Sequence, residues 1–288
     1  MTSICGLSIP GGNLIAFMLS GIIFKGIEKE DNAGVESQLM TMLWVQNIWV
    51  TAICIPYLIF IEDKPKLPPS LVALEKPKEA PFCENISAAL RLSEYRKLIG
   101  AFMLMQGCFL AFGTNINQLF TPVGFTAVDI SVLGAGVILI GVVASMVAGV
   151  ILNKTHKYLL MIRISAAGAS ILVGLALISF TTHNVDLISA NMIAGACFLV
   201  PVIPVSIDFS AELTFPQEET VTTGFLLMSA QAFGFFFSII VLMLCEHVAA
   251  IAGLASIVLC SCVATIISIF IKEDLRRIKF VSKPFQLN

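Results

Sequence analysis

The side chains with the most chemistry to offer are amides set within long apolar stretches. Gln106, Asn115 and Asn117 fall in one such stretch, and Gln231 lies near the middle of another. An amide in an apolar environment must find a hydrogen-bond partner or face a cavity, so each marks a helix contact or a polar solute site. Asn115 and Asn117 are two residues apart and cannot share one helix face. We therefore expect one of them to face protein and the other a different neighbour or a pore.

Two acids, Asp208 and Glu212, lie one helical turn apart at the end of a further apolar stretch. Carboxylates at such a boundary are typical of a gate or of a helix cap. The three histidines, His156, His183 and His247, all stand at the ends of apolar stretches. The sequence contains no HExxH, GxSxG or CxxC motif and no phosphate-binding glycine loop. It therefore predicts neither an enzyme nor a metal or cofactor site.

The amino-acid composition indicates the environment that surrounds these side chains. Of 288 residues, 57% are hydrophobic and 12% are charged, and the mean hydropathy is +0.93. A soluble domain is usually about a quarter charged, so an ordinary soluble enzyme and a disordered chain are excluded. The formal net charge of −2 gives no reason to expect a nucleic-acid partner. The expected surroundings are a lipid bilayer.

Eight segments without a charged residue or histidine are each long enough to cross a bilayer core, which takes about 20 residues. They are Met1–Phe24, Leu39–Ile61, Leu98–Val128, Ile130–Asn153, Ile164–Thr182, Leu187–Ile207, Thr220–Cys245 and Val248–Ile271. The fold class predicted is all-α integral membrane, with eight transmembrane helices. Apart from Lys25 and Lys29, every lysine and arginine follows the second, fourth or eighth segment. Because basic loops stay inside, we expect these loops and the C-terminus to be cytoplasmic.

A charged and proline-rich stretch divides the chain. We expect residues 62–97 to form a solvated cytoplasmic linker. Two helices precede it in residues 1–61, six follow in residues 98–272, and residues 273–288 form a cytoplasmic tail. Six helices after a cytoplasmic linker are the organisation of the second half of a 6+6 transporter.

Prolines and small residues predict two local features. Pro201 and Pro204 should interrupt the sixth segment, since proline lacks the N–H that continues a helix. Gly141, Ser145 and Gly149 recur every four residues in the fourth segment. Such a stripe lets another helix approach closely, and we interpret it as a packing feature.

The loop after the fourth segment carries a family resemblance. Gly149 is followed by Asn153, Lys154 and Lys157 in the run Gly-Val-Ile-Leu-Asn-Lys-Thr-His-Lys. This run resembles the cytoplasmic loop motif of the major facilitator superfamily, in which a glycine precedes an acid and basic residues around a tight turn. The resemblance implies that fold, with a gating or structural role for these four residues. Asn153 stands where the acid usually is, so it can cap a helix but carries no charge.

Further stretches narrow the resemblance. They are Glu62–Ser70, Asp208–Pro216, Thr222–Gly224, Ser229–Gly234 and Glu273–Arg277. In this order they are similar to the family of the feline leukaemia virus subgroup C receptor (FLVCR), aligned to its helices 5 to 12. The resemblance implies that the first four of twelve helices are missing from this sequence.

Members of the FLVCR family are described as transporters of choline and ethanolamine, and earlier of haem. The resemblance implies that Gln231 is the substrate-pocket glutamine and that Leu110 stands where some members have a tyrosine facing the cation. An aromatic ring attracts a quaternary ammonium group, and leucine cannot supply that contact. The substrate-binding residues expected on this basis are Gln231, Gln106, Phe109, Leu110, Asn115 and Asn117.

Three functions remain open from the sequence. The first is an FLVCR-type transporter in the plasma membrane, working by alternating access on choline or a similar small organic cation. The second is haem export by the same fold, although haem usually takes an axial His, Cys, Met or Tyr and no histidine lies within a segment. The third is a non-transporting fragment, or a membrane subunit that needs a partner or a missing N-terminal half.

Overall fold

The computed structural model describes residues 8–23, 32–60 and 81–281, with side chains described at 11–23, 34–60 and 81–278. These residues are almost all helical, and no strand occurs among them. The helices are α1 (Ser8–Ile23), α2 (Asn32–Phe60), α3 (Phe82–Arg91), α4 (Ser93–Thr114), α5 (Ile116–Phe120), α6 (Ala127–Thr155), α7 (Tyr158–Phe180), α8 (Val185–Leu199), α9 (Val202–Thr214), α10 (Glu219–His247), α11 (Ala250–Ile269) and α12 (Arg276–Val281).

Seven helical segments of the described residues are long and apolar enough to cross a bilayer. They are α2, α4, α6, α7, α8 joined to α9, α10 and α11. The first predicted segment corresponds to α1, whose apolar part, Gly11–Ile23, is shorter. Residues 1–7 of that segment lie outside the described residues. The predicted all-helical membrane architecture is confirmed for the described part of the chain.

Several helices begin earlier than the apolar segments do. α4 begins at Ser93 and α7 at Tyr158, because charged side chains in a first turn still reach the aqueous boundary. The expectation that Arg163 lies in a loop is therefore wrong, since it belongs to the second turn of α7. The range expected to be a linker, 62–97, contains α3 and the first turn of α4, and its residues 62–80 lie outside the described residues.

Two of the long apolar segments are interrupted. α8 ends at Leu199 and α9 begins at Val202, so the break predicted at Pro201 is confirmed. Pro204 lies in the first turn of α9, where a missing N–H costs little. A second break, which the sequence did not predict, separates α4 from α5 at Asn115, whose φ and ψ are −107° and 18°.

The described residues form two units, one of residues 8–17 and 81–281 and one of residues 18–23 and 32–60. The larger unit contains two hydrophobic cores. One includes Leu119, Phe120, Phe180, Ile188 and Leu254; the other includes Leu98, Phe102, Tyr158, Phe209 and Leu226. Large apolar side chains also cover the exposed faces of α6 and α10, as expected where the solvent is lipid.

The small-residue stripe of α6 allows close packing at Gly141. This residue is buried, and a Cβ atom there would lie 2.3 Å from Cγ2 of Val200. Val200 lies at the break between α8 and α9, so the missing side chain lets that break approach α6. The close helix approach predicted for the stripe is confirmed at this residue.

Candidate functional site

Helices α4 and α10 run side by side and carry four of the six predicted substrate-binding residues, Gln106, Phe109, Leu110 and Gln231. Near the start of both helices, Tyr95 Oη donates to the Thr222 carbonyl oxygen at 2.6 Å. Farther along both helices, Asn115 Nδ2 at the end of α4 donates to the carbonyl oxygen of Ser238 at 3.1 Å and to its Oγ at 3.0 Å. Because the partner numbers increase together along both helices, α4 and α10 are parallel.

Between these two contacts the helices touch through glycine. A Cβ atom on Gly107 would lie 2.4 Å from Cδ1 of Phe233, and one on Gly234 would lie 2.6 Å from Cδ1 of Leu110. Leu110 of α4 therefore covers Gly234, and Phe233 of α10 covers Gly107. A side chain at either glycine would push the helices apart. This glycine contact, which we call the α4–α10 crossing, therefore fixes the position along α10 at which Leu110 packs.

Gln231 lies on the exposed surface of α10, three residues before Gly234. At about 1.5 Å per residue it is about 4.5 Å along the axis from the glycine contact. Gln106 lies beside Gly107 on α4 and is half-buried. Among the described residues neither amide side chain makes a hydrogen bond. Both amides remain available to a solute or to a group outside that part of the chain.

The two asparagines face different surroundings, as the sequence predicts. Asn115 is buried, and its Nδ2 also donates to the Ala111 carbonyl oxygen at 3.0 Å, in addition to the two bonds to Ser238. Asn115 therefore joins α4 to α10 and has only its Oδ1 left for another partner. Asn117 is exposed in α5.

Phe109 and Leu110 point to different sides of α4. Phe109 packs against the first core, where it lines an apolar cavity of about 20 Å³ with Phe112, Val137 and Met192. A space of this size holds about one water molecule. The structure thus places Leu110 against Gly234, with Gln106 and Gln231 each within one helical turn of the glycine contact, but directs Phe109 into the core.

The gating candidates Asp208 and Glu212 both lie within α9, with Asp208 half-buried and Glu212 buried. Glu212 Oε2 accepts a hydrogen bond from the backbone N–H of Ile278 at 3.2 Å. Next to it, Arg277 Nη1 lies 3.3 Å from Oε2 of Glu219, the first residue of α10. Residues 270–278, which we call the strap, are therefore fastened to the ends of α9 and α10.

The strap is also fastened to α4 and α7. Arg163 of α7 donates to three carbonyl oxygens, those of Ser268 at 3.2 Å and of Ile269 and Ile271 at 2.8 Å. These carbonyls close the end of α11, where a cation also complements the helix dipole.

On α4, Glu94 Oε2 accepts from the backbone N–H of Lys272 at 2.6 Å, and Lys97 Nζ donates to the Phe270 carbonyl oxygen at 3.1 Å. Sequence reasoning missed Arg163, Glu94 and Lys97. The sequence signal that could have found them is a charged residue within the first two turns of a long apolar helix, where it can reach the neighbouring chain at the membrane boundary.

A model of the Major Facilitator Superfamily matches residues 1–239. The chain belongs to this superfamily. It is a multi-pass membrane protein, as its apolar helices also indicate.

Several curated relatives of this Major Facilitator Superfamily protein carry transporter names. The choline/ethanolamine transporter flvcr2a of Danio rerio is 27% identical over 97% of this chain and 61% of its own length. FLVCR2 of Homo sapiens is 25% identical over 97% of this chain and 54% of its own length. FLVCR1 of Mus musculus is 25% identical over 96% of this chain and 53% of its own length. The chain thus spans about half to three-fifths of these relatives, and the FLVCR resemblance is confirmed.

The superfamily loop lies between α6 and α7. Asn153 and Lys154 are exposed in the last turn of α6, and His156 after it adopts a left-handed conformation with φ of 51°. Lys157 is exposed at the start of α7, and Gly149 is half-buried in α6. Their gating role stays a prediction.

We predict that Glu212→Ala speeds trypsin cleavage after Arg276 and Arg277 about tenfold, because losing the buried acceptor costs about 1.4 kcal/mol of strap attachment. Glu212→Gln keeps an oxygen acceptor and should stay within about threefold of the parent. Mass spectrometry of timed digests measures both rates. Glu273→Ala, at an exposed acid of the same strap, is the control. Equal cleavage rates for the two alanine variants would refute the role of Glu212.

Proposed function

We propose that this superfamily member is an FLVCR-type solute transporter that moves choline or a similar small organic cation by alternating access. The observation that carries the proposal is the unbonded amide of Gln231 on the exposed face of α10, beside the α4–α10 glycine contact. The naming of its relatives as choline/ethanolamine transporters supports the same substrate class. Transporter sites of this kind lie near the bilayer midplane between repeats.

Each candidate residue has a role in this proposal. Gln231 and Gln106 present amide oxygens to the solute, and Asn117 lines its path at the far end of α4. Asn115 positions α4 against α10 through Ser238. Leu110 supplies an apolar wall where an aromatic ring would attract the cation more strongly, so we expect weaker choline selectivity than a tyrosine there would give. Phe109 packs against the first core and helps to hold α4 in place.

The proposed gate lies at the opposite end of α4 from Asn117. Asp208, Glu212 and the strap form one part of it, and the loop with Lys154 and Lys157 forms the other. The basic residues of this end favour a cytoplasmic location for it and for the C-terminus. The plasma membrane is the proposed location.

The test is choline transport by purified protein reconstituted into liposomes. We predict that Gln231→Ala lowers radiolabelled choline uptake about tenfold, since losing a hydrogen bond to a cationic solute costs about 1.4 kcal/mol. Gln217→Ala changes a glutamine in the turn between α9 and α10 and should leave uptake unchanged.

The outcomes separate the three functions. If Gln231→Ala lowers choline uptake, the proposal is supported. If Gln231→Ala leaves choline uptake unchanged, the proposed site is refuted. Choline binding without uptake favours a subunit that needs a partner. Failure to bind choline or ethanolamine, with a saturable change in haem absorbance on titration, would replace the proposal with haem transport.

A further inference from the structure

Helix α3 presents an apolar edge that the described residues leave partly uncovered. Asn85 and Ala89 are buried on the side that packs on α4 and α10. On another side, Phe82, Ile86 and Leu90 recur every four residues, with Phe82 60% exposed and the other two half-buried. An amphipathic helix of this kind lies in a membrane interface with its apolar edge among the acyl chains.

Beside this edge lies an open pocket of about 410 Å³. Its lining residues are Cys83, Ile86, Ser87, Leu90, Arg91 and Arg96, so two apolar and two basic residues border the same space. Arg96 Nη1 donates to the Leu90 carbonyl oxygen at 2.9 Å, which holds this guanidinium over the C-terminal end of α3. A guanidinium has five N–H donors, so others remain for a ligand.

The position of α3 decides which ligand can reach this pocket. One residue, Leu92, separates α3 from α4, which is long and apolar enough to cross the bilayer. The pocket must therefore lie at the boundary of that bilayer, at the end of α4 that carries Arg96 and Lys97. Guanidinium pairs bind phosphate oxygens in a fixed fork geometry, and basic groups at a membrane surface attract anionic lipid.

We propose that α3 lies on the membrane surface and that Arg91 and Arg96 bind the phosphate of an anionic phospholipid, with its acyl chain along Ile86 and Leu90. The lipid covers the apolar edge that the described residues leave open, and its charge matches the two arginines. This site is separate from the α4–α10 crossing and from Gln231, so it stands whether or not the chain transports choline.

The test places a fluorescent reporter beside the pocket. Phe82→Trp is made in a chain whose two tryptophans are replaced, Trp44→Phe and Trp49→Phe, and the protein is reconstituted into phosphatidylcholine bilayers. Phosphatidylcholine or phosphatidylserine with brominated acyl chains is added at equal mole fraction. We expect brominated phosphatidylserine to quench the tryptophan about twice as strongly as brominated phosphatidylcholine.

Charge variants distinguish lipid binding at Arg91 and Arg96 from a general attraction of anionic lipid to the basic surface of the protein. Arg91→Gln, alone and with Arg96→Gln, should bring the two quenching levels together, and the single variant keeps the Arg96–Leu90 bond that holds the end of α3. Lys154→Gln with Lys157→Gln removes the same charge from an exposed loop and should keep the preference. A preference lost equally in both pairs, an equal response to both lipids in the parent, or no quenching at all would overturn the proposal.

Discussion

Replacing Arg163 with methionine should lower the free energy of unfolding by about 3 kcal/mol. The Arg163 guanidinium donates hydrogen bonds to the carbonyl oxygens of three residues at and just after the end of α11, two of them at 2.8 Å. A hydrogen bond to a charged group contributes about 1.5 to 3 kcal/mol, and partial access of water to the freed carbonyls keeps the total below the sum of three. Loss of helical circular dichroism during titration with a denaturing detergent measures the change.

Two further variants test the cause of this loss. Arg163→Lys keeps the charge near the helix end but replaces a planar fork with one ammonium group, so we expect about half the destabilisation. Arg276→Met removes an arginine whose ion pair with Asp274 is on the surface, where such pairs contribute less than about 1 kcal/mol. If Arg163→Met is no more destabilising than Arg276→Met, the carbonyl contacts do not hold the strap in solution.

Gly107→Ala should destabilise the protein by about 1 to 3 kcal/mol, and Gly107→Leu by more. The added Cβ atom would lie 2.4 Å from the Phe233 ring, and that ring already stacks on Phe237 with centroids 5.4 Å apart. The ring must move or α4 and α10 must separate, and separation of the helices would displace Leu110 from Gly234. The same detergent titration measures the loss.

Gly113 provides a matched control in the same helix. A Cβ atom there meets nothing within 4 Å, so Gly113→Ala should leave stability unchanged or raise it by up to about 1 kcal/mol through helix propensity. Combining Gly107→Ala with Phe233→Ala removes the clashing ring, and we expect a favourable coupling of about 1 kcal/mol. Additive effects of the two substitutions would mean that the crossing is looser than the structure describes.

The transmembrane architecture could be predicted from the sequence because hydropathy and length are local properties. A run of about 20 apolar residues must hydrogen-bond its own backbone in lipid, and this requires a helix wherever the run occurs. The break at Pro201 follows from the same chain-local chemistry, since proline has no N–H to donate. Asn115 and Asn117 had to diverge because residues two apart cannot share a helix face.

The candidate site was only partly predictable. The sequence marks Gln231, Gln106 and Leu110 as unusual or family-matched positions, but spacing along one helix cannot reveal which other helix each position faces. Phe109 shows the consequence, since it is adjacent to Leu110 in the chain and yet points into the core. Arg163 shows it again, because counting charges places it in a loop and only the fold gives it three carbonyl partners, two on α11 and one in the strap.

By itself, then, the sequence determined a helical membrane protein of the Major Facilitator Superfamily and the positions of its polar residues along each helix. Only the tertiary structure decided that Gly107 meets Gly234, that Asn115 bonds Ser238, and that the strap crosses the ends of four helices. The physical reason is that helix formation is satisfied within one segment, whereas the choice of partner depends on close packing between residues that are far apart in the sequence.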